Sequence, residues 1–151
     1  MNAYQATALE GASPVELTIA LYDGIVRFMN QAIVAVEEND ADQRRAAVKR
    51  AMDIVMYLQV SLDRKQGGKP SEALTEFYTA MFALMLQGSQ ANSRQKFEQV
   101  IANVRNVREA WKQALAETNR HITSASGPTG HSSENELSLP SIRQWKGSWT
   151  A

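Results

Sequence analysis

The chain has 151 residues, of which 44% are hydrophobic and 21% are charged, and its 16 basic and 16 acidic side chains give a formal net charge of zero. This composition is typical of one soluble globular domain, and the neutral charge gives no reason to expect binding to nucleic acid or to an anionic membrane. The absence of cysteine excludes disulfides and thiolate metal sites and fits a reducing compartment. The first residues do not form a secretory signal, and no apolar run is long enough to insert into a membrane, so we expect a cytosolic protein.

The first predicted helix begins at a complete capping motif. Ser13 is expected at the N-cap, Pro14 at the first helical position and Glu16 at the third, where its carboxylate can bond the Ser13 backbone. This helix should run to about Glu38. Gly-Gly-Lys-Pro at 67–70 should end the second helix, and Ser71 should cap the third. The remaining helices are predicted over about residues 41–64, 71–87 and 94–119.

The connections between these helices are short, which favours antiparallel neighbours. No segment alternates apolar and polar residues with the period of a strand. We therefore predict an all-α fold, an antiparallel up-down four-helix bundle over residues 13–122. A short N-terminal arm at 1–12 precedes the bundle. An extended tail at 123–151 follows it, rich in Ser, Thr and Gly, and this tail is expected to be flexible and to carry apolar residues near its end.

The first helix carries more apolar surface than one contact requires. At 100° per residue, one face forms a regular core stripe, and a second apolar face lies beside it. The core stripe consists of Leu17, Leu21, Ile25, Phe28, Ala32 and Val36. The second face consists of Val15, Ile19, Tyr22, Val26 and Ile33, with Met29 at its border.

The fourth helix provides the comparison, because its apolar residues form a single narrow stripe. The second and third helices are broad again: Met56, Tyr57 and Val60 lie off the core stripe of the second, and Phe82 and Leu86 extend that of the third. Since each helix of a bundle touches two neighbours, such faces can be packed inside the bundle. The alternative is an exposed patch that binds a partner.

Residues that carry catalysis are scarce in this sequence. The two histidines are His121, at a helix end, and His131, in the tail. Di-iron bundles need Glu-x-x-His on facing helices, and neither this pattern nor a phosphate-binding loop nor a metal-ligand spacing is present. We therefore expect a protein that is not an enzyme and that needs no metal or other cofactor.

An ordered set of local motifs resembles a known family. In chain order these motifs are Ser13-Pro14-x-Glu16-Leu17, Leu21-Tyr22-Asp23-Gly24, Leu62-Asp63 before Gly67-Gly68, Leu74-x-x-Phe77-Tyr78, Ala91-Asn92 and Arg108-Glu109-Ala110-Trp111. Together they resemble the flagellin-specific export chaperones of the FliS family over about residues 4–115. The chain departs from the family pattern at Ala73, where Asn is usual, and at Phe77, where Leu is common.

The resemblance implies a function and its partners. Members of that family bind the disordered C-terminal segment of flagellin in the bacterial cytosol, prevent premature polymerisation and deliver flagellin to the type III export gate. It implies a one-to-one complex with flagellin, contact with an export gate component, and no membrane insertion. It also implies that an early tyrosine such as Tyr4 lies over the flagellin groove until flagellin displaces it. The groove residues expected here are Tyr4, Val15, Ile19, Tyr22, Val26, Met29, Leu86 and Asn92.

Two further hypotheses concern the tail and the oligomeric state. Glu136-Leu137-Ser138-Leu139 with Arg143 resembles the ending of flagellin, so the tail could dock in the chain's own groove rather than remain solvated. The residues expected to dock are Leu137, Leu139, Ile142 and Trp145. The alternative function is a non-catalytic adaptor bundle that forms a homodimer through the same apolar face.

Overall fold

The computed structural model describes residues 13–65 and 69–124, and these ranges contain four α-helices and no strand. Neighbouring helices run antiparallel, and each is longer than three turns. They are α1 (Pro14–Glu37), α2 (Ala41–Lys65), α3 (Lys69–Gln90) and α4 (Arg94–Ser124).

The predicted start of α1 is confirmed, but α3 begins and ends differently from the prediction. The Ser13 hydroxyl accepts a hydrogen bond from the Glu16 backbone, and the Glu16 carboxylate accepts one from the Ser13 backbone. The prediction that Ser71 caps α3 is wrong, because the helix begins at Lys69. Pro70 is tolerated there because the first turn has no partner for a backbone N–H. The predicted end at Gln87 is also too early, since Gly88 lies inside α3.

The four helices form a closed ring in which α1 and α3 each pack against both α2 and α4. This arrangement confirms the predicted antiparallel bundle. Two glycines allow close helix contacts. A Cβ at Gly24 would lie 3.0 Å from the Ile54 side chain of α2, and a Cβ at Gly88 would lie 2.8 Å from the Phe97 ring of α4. Phe97 is fully buried and cannot easily move, so Gly88 is held in the helix by packing rather than by helix propensity.

A buried hydrogen-bond network joins three helices at the centre of the bundle. The Tyr22 hydroxyl of α1 accepts a hydrogen bond from the Trp111 indole N–H of α4 at 3.0 Å and lies 2.7 Å from the Tyr78 hydroxyl of α3. The Tyr22 ring meets both other rings edge-on, with centroids 6.4 and 6.5 Å apart. Because Tyr22 is completely buried, its hydroxyl depends on these two partners. The network therefore fixes the relative position of α1, α3 and α4.

A surface ion pair lies beside this network and shows which side of α1 faces α4. Arg108 of α4 donates to both carboxylate oxygens of Asp23, at 2.6 and 3.4 Å. Tyr22 and Asp23 both contact residues of α4. Around the helix axis, Ile19 and Val26 project between these two side chains, so they lie on the side of α1 that α4 covers. Both are partly buried and pack against the core.

The prediction that the second apolar face of α1 forms an open groove is therefore corrected at several positions. Val15, Tyr22 and Met29 are at most 2% exposed and belong to the core, together with Ile33. The physical reason is that α1 lies between α2 and α4, and each neighbour needs an apolar face. The alternative that both faces are packed inside the bundle is the one that the structure supports.

The same packing explains the high hydropathy of α1. Among the described helices, α1 is the one that is long and apolar enough to cross a membrane by length and composition. Its buried residues face the bundle core, and charged residues such as Asp23 and Arg27 occupy its outer side. Contact with α2 and α4 thus accounts for the apolar residues on its inner side.

Removing the Tyr22 hydroxyl should destabilise the protein more than removing that of Tyr78. Tyr22→Phe leaves both the Trp111 indole N–H and the Tyr78 hydroxyl without their partner, at a cost of about 1–3 kcal/mol. Tyr78→Phe leaves the Trp111–Tyr22 bond intact and should cost about 1 kcal/mol. Urea unfolding of the two variants measures the difference, and equal losses would contradict the central position of Tyr22.

The same two tyrosines predict a loss of stability in alkali. Burial raises the pKa of Tyr22 and of Tyr78 well above the ordinary value, and the neighbouring Tyr78 hydroxyl raises the pKa of Tyr22 further. Their contribution is fully present below the unfolded-state pKa of about 10 and is lost as the pH rises towards the folded-state pKa. Above pH ~10 the free energy of unfolding should fall by up to about 1.4 kcal/mol per pH unit for each tyrosine. Urea unfolding from pH 8 to 11 should show a shallower decline in Tyr78→Phe, and an unchanged slope would contradict this assignment.

An aspartate at position 19 should destabilise the bundle rather than only alter its surface. Because Ile19 packs against the core on the side of α1 that faces α4, Ile19→Asp should lower the free energy of unfolding by about 1–3 kcal/mol. Val34→Asp is the matched control, since Val34 is on the same helix but 48% exposed. It should change stability by less than about 0.5 kcal/mol. If Ile19→Asp unfolds like the control, Ile19 belongs to an open groove and the packing account of α1 fails.

Candidate functional site

Four of the six exposed large apolar side chains among the described residues lie on α2 and α3, and the other two are Val34 on α1 and Ile122 near the end of α4. Met56 and Val60 are 55% and 49% exposed on α2, and Leu86 is 42% exposed on α3. Met52 and Phe82 are partly buried beside the core. We call these five residues the α2–α3 seam surface.

The register of α2 against α3 brings the five residues together. The Gln59 side-chain amide of α2 donates a hydrogen bond to the Thr75 hydroxyl of α3 at 3.1 Å, which places this pair at the same level. Met52 lies two turns before Gln59 on α2, and Phe82 lies two turns after Thr75 on α3. Because the two helices are antiparallel, both steps lead in the same direction along the bundle. At the far end, Arg44 of α2 reaches Ser89 of α3 at 3.4 Å and keeps the same register. Met52 and Phe82 therefore lie side by side.

The seam surface is long enough to bind a helix. Met56 and Val60 follow Met52 on one side of α2, and Leu86 follows Phe82 by one turn on α3. From the level of Val60 to Leu86 the surface extends roughly 18 Å, which equals about three turns of helix. Tyr57, 53% exposed, borders it on the outer side of α2. An apolar strip of this shape can accept a partner with apolar residues at the spacing i, i+3 or i+4, and i+7.

Methionine gives this surface a chemical character that suits a variable partner. Met52 and Met56 are its two thioethers, and their unbranched side chains can adjust to the shape of what they contact. A second methionine pair at helical spacing, Met81 and Met85 of α3, is buried in the core. Only the pair on α2 is therefore available to a partner.

A second depression, open and shallow, lies along the outer side of α1. Most of the side chains that line it are polar or charged, including Asp23, Arg27 and Asn30, and its exposed apolar residue is Val34. Val26 also reaches its edge. Because binding of an apolar helix needs a continuous apolar strip, this depression is less suited to that role than the seam surface.

The predicted groove residues thus separate into several groups. Val15, Tyr22 and Met29 are core residues, and Ile19 and Val26 are partly buried beside α4. Leu86 lies on the seam surface. Asn92 is exposed, has a left-handed backbone with φ of 52°, and accepts a hydrogen bond from Arg44 at 2.8 Å. Its geometry is that of a residue that ends α3.

Five predicted residues lie outside the part of the chain that the structure describes. One is Tyr4 in the N-terminal arm. The others are the tail residues Leu137, Leu139, Ile142 and Trp145. Within residues 13–65 and 69–124, no group of three or more His, Asp or Glu side chains is arranged to hold a metal ion.

Of the five seam residues, Leu86 belongs to the groove predicted from the sequence and the other four do not. Met56, Val60, Phe82 and Leu86 lie off the core stripes of their helices, and this position is the signal that identifies them, whereas Met52 falls within the predicted core stripe of α2. Helical periodicity favours α1 as the partner surface because its apolar arc is the widest. A wide apolar arc is found both on a helix packed between two neighbours and on a helix that faces solvent. The exposure of the side chains in the structure shows which apolar residues of α2 and α3 face solvent.

Comparison with known proteins agrees with the motifs quoted above. The family described as "Flagellar protein FliS" matches residues 1–118. The flagellar secretion chaperone FliS of Campylobacter jejuni is 33% identical over 112 residues, which cover 74% of this chain and 88% of that protein. Those of Bacillus subtilis and Salmonella typhimurium are 30% and 32% identical, over 76% and 71% of this chain and 84% and 80% of their own lengths. This chain belongs to the FliS family of flagellar secretion chaperones.

Proposed function

We propose that this protein binds the disordered C-terminal segment of flagellin in the bacterial cytosol, prevents its premature polymerisation and passes it to the flagellar type III export gate. The proposal takes the flagellin partner from the family resemblance and the binding surface from the structure. The observation that carries it is the exposed α2–α3 seam surface on a chain whose relatives are named flagellar secretion chaperones.

The seam surface has the properties that such a partner requires. A segment that polymerises through apolar contacts must have those contacts covered. The seam surface offers an apolar strip for this, formed by Met52, Met56, Val60, Phe82 and Leu86. A disordered segment that folds on binding pays about 2–5 kcal/mol to become ordered, which limits the net affinity. Release at the export gate benefits from that limit, because a ligand held too tightly could not be passed on.

The bundle itself supports the surface without depending on the partner. Behind the seam lie fully or nearly fully buried side chains such as Val55, Phe77 and Met81, which pack in the bundle core. The Tyr22–Tyr78–Trp111 network fixes α3 against α1 and α4. The helices that carry the surface are therefore already in place, so the ordering cost of the bundle itself is small.

The alternative function is an adaptor that forms a homodimer through the same apolar surface. The two functions differ in what sedimentation measures. A chaperone should sediment as a monomer alone and as a one-to-one complex with flagellin, whereas a dimerisation module should self-associate and ignore flagellin. No specific observation favours the dimer, so the chaperone is the function proposed.

An aspartate on the seam surface should abolish most of the flagellin affinity without unfolding the bundle. Val60→Asp places a charge within the apolar strip, and desolvating it should weaken binding of a flagellin C-terminal peptide about tenfold or more, which corresponds to about 1.4 kcal/mol. Because Val60 is 49% exposed, circular dichroism and the melting temperature should change little. Isothermal titration calorimetry with the peptide gives the affinity.

Val34→Asp is the matched control for this experiment. Val34 has nearly the same exposure, 48%, but lies in the depression on the outer side of α1. The proposal expects wild-type affinity for this variant. If Val34→Asp loses binding while Val60→Asp retains it, flagellin binds along α1 and the seam assignment is wrong. If the unsubstituted protein does not bind the peptide at all, the flagellin proposal itself fails.

A further inference from the structure

We propose that the apolar part of this chain's own tail, residues 137–149, docks on the α2–α3 seam surface when no partner is bound. The family match ends at residue 118, so the tail lies outside what the family comparison covers. The proposal goes beyond the proposed function, since it concerns the chain alone and does not require flagellin.

The first observation is that the seam surface has no cover among the described residues. Met56 and Val60 are about half exposed, and Leu86 is nearly so. A continuous apolar strip of this length on a monomer is a binding surface or a source of aggregation. A segment of the same chain that covers it would lower the exposed apolar area without a second molecule.

The second observation is the pattern of apolar residues in the tail. Residues 125–136 contain no large apolar side chain, whereas the following segment contains five. Ile142, Trp145 and Trp149 have the spacing i, i+3 and i+7, which is the spacing of residues that anchor an amphipathic helix in a groove. Leu137 and Leu139 precede them. Two tryptophans are unusual in a segment that would remain solvated, because their large apolar area favours burial.

The third observation is where the tail begins. Trp111 of α4 lies beside Tyr22 of α1, and α4 continues from there to Ser124, past the level of Ser13 at the start of α1. The end of α2 and the start of α3 lie at this same end of the antiparallel bundle. Val60 is five residues before the end of α2, about 8 Å along the helix. The tail therefore leaves the bundle at the end where the seam surface begins.

The connecting segment is long enough to make the contact. Twelve residues, 125–136, separate Ser124 from Leu137. A flexible linker of this length has a typical end-to-end distance of about 20 Å and a maximum of about 43 Å. Such a tether holds the apolar segment near the bundle at an effective concentration of about 1 mM, so even weak intrinsic affinity gives substantial docking.

Two alternative occupants of the surface are a second copy of the chain and no occupant at all. The tail is favoured over a second copy because its effective concentration is set by the tether and does not depend on the protein concentration. Association of two copies does depend on the protein concentration. The experiment distinguishes all three, and it uses the full chain without flagellin, so its failure is separate from any failure of the flagellin proposal.

Paramagnetic relaxation tests the contact directly. The chain has no cysteine, so Ser141→Cys creates a single site for a nitroxide label within the tail. In protein with labelled methyl groups, the proposal expects strong loss of signal intensity for Met56, Val60 and Leu86 and little loss for Val34, which lies on the outer side of α1. A second substitution, Trp145→Ser in the labelled chain, should restore the seam signals. Circular dichroism should show that both variants remain folded.

The outcomes that overturn the proposal are equally specific. Uniform intensity loss at Val34 and Val60, or no loss at either, would mean that the tail does not prefer the seam. A mixture of isotope-labelled chain without nitroxide and nitroxide-labelled chain without isotope reports contacts between molecules. Signal loss at Met56 in that mixture, at the level seen within one chain, would assign the surface to a second copy instead.

Discussion

The hydroxyl group of Tyr22 joins three of the four helices, and the arrangement of the bundle depends on it. It accepts the Trp111 indole N–H of α4 and pairs with the Tyr78 hydroxyl of α3, in a site from which water is excluded. Burying a hydroxyl without a hydrogen-bond partner raises the free energy of the folded state. Arrangements of the helices that would break this network are therefore disfavoured. Apolar packing drives the helices together, and the network selects how they are placed. Because Tyr22 holds α1 against α4, the apolar side of α1 that includes Ile19 is used within the bundle.

This constraint explains why several residues that carry the family resemblance lie in contacts between helices. Within the motif at 21–24, Tyr22 pairs with Trp111 and Asp23 with Arg108, while Gly24 allows close approach to Ile54. The α4 motif supplies Trp111 and Arg108 for the first two contacts, and Tyr78 of the α3 motif also bonds the Tyr22 hydroxyl. The motifs therefore describe how the bundle is built. The surface proposed for binding is the one that α2 and α3 leave exposed.

The fold was largely predictable from the sequence, because helix caps and apolar stripes are local properties. The structure confirms both the capping box predicted at Ser13 and the core stripe predicted for α4 from Phe97 to Trp111. The start of α3 was misplaced because Pro70 is as compatible with a first helical turn as with a loop. The candidate site was harder. Tyr22 and Tyr57 look alike in sequence, each on an apolar face at helical spacing, yet one is fully buried and the other 53% exposed. The exposure of each tyrosine depends on which helices lie beside its own, and helical periodicity alone does not predict those neighbours.

We propose that the partner binds on the α2–α3 seam surface while the apolar faces of α1 stay packed within the bundle. Methyl NMR of the methionines distinguishes the two surfaces, since Met29 is buried on α1 and Met56 lies on the seam surface. On addition of a flagellin C-terminal peptide, we expect the Met56 methyl signal to shift, with that of the adjacent Met52, while the Met29 signal stays in place. A shift of Met29 with Met56 unchanged would contradict the account, because it would show that the partner binds on the face of α1 that the Tyr22 network encloses.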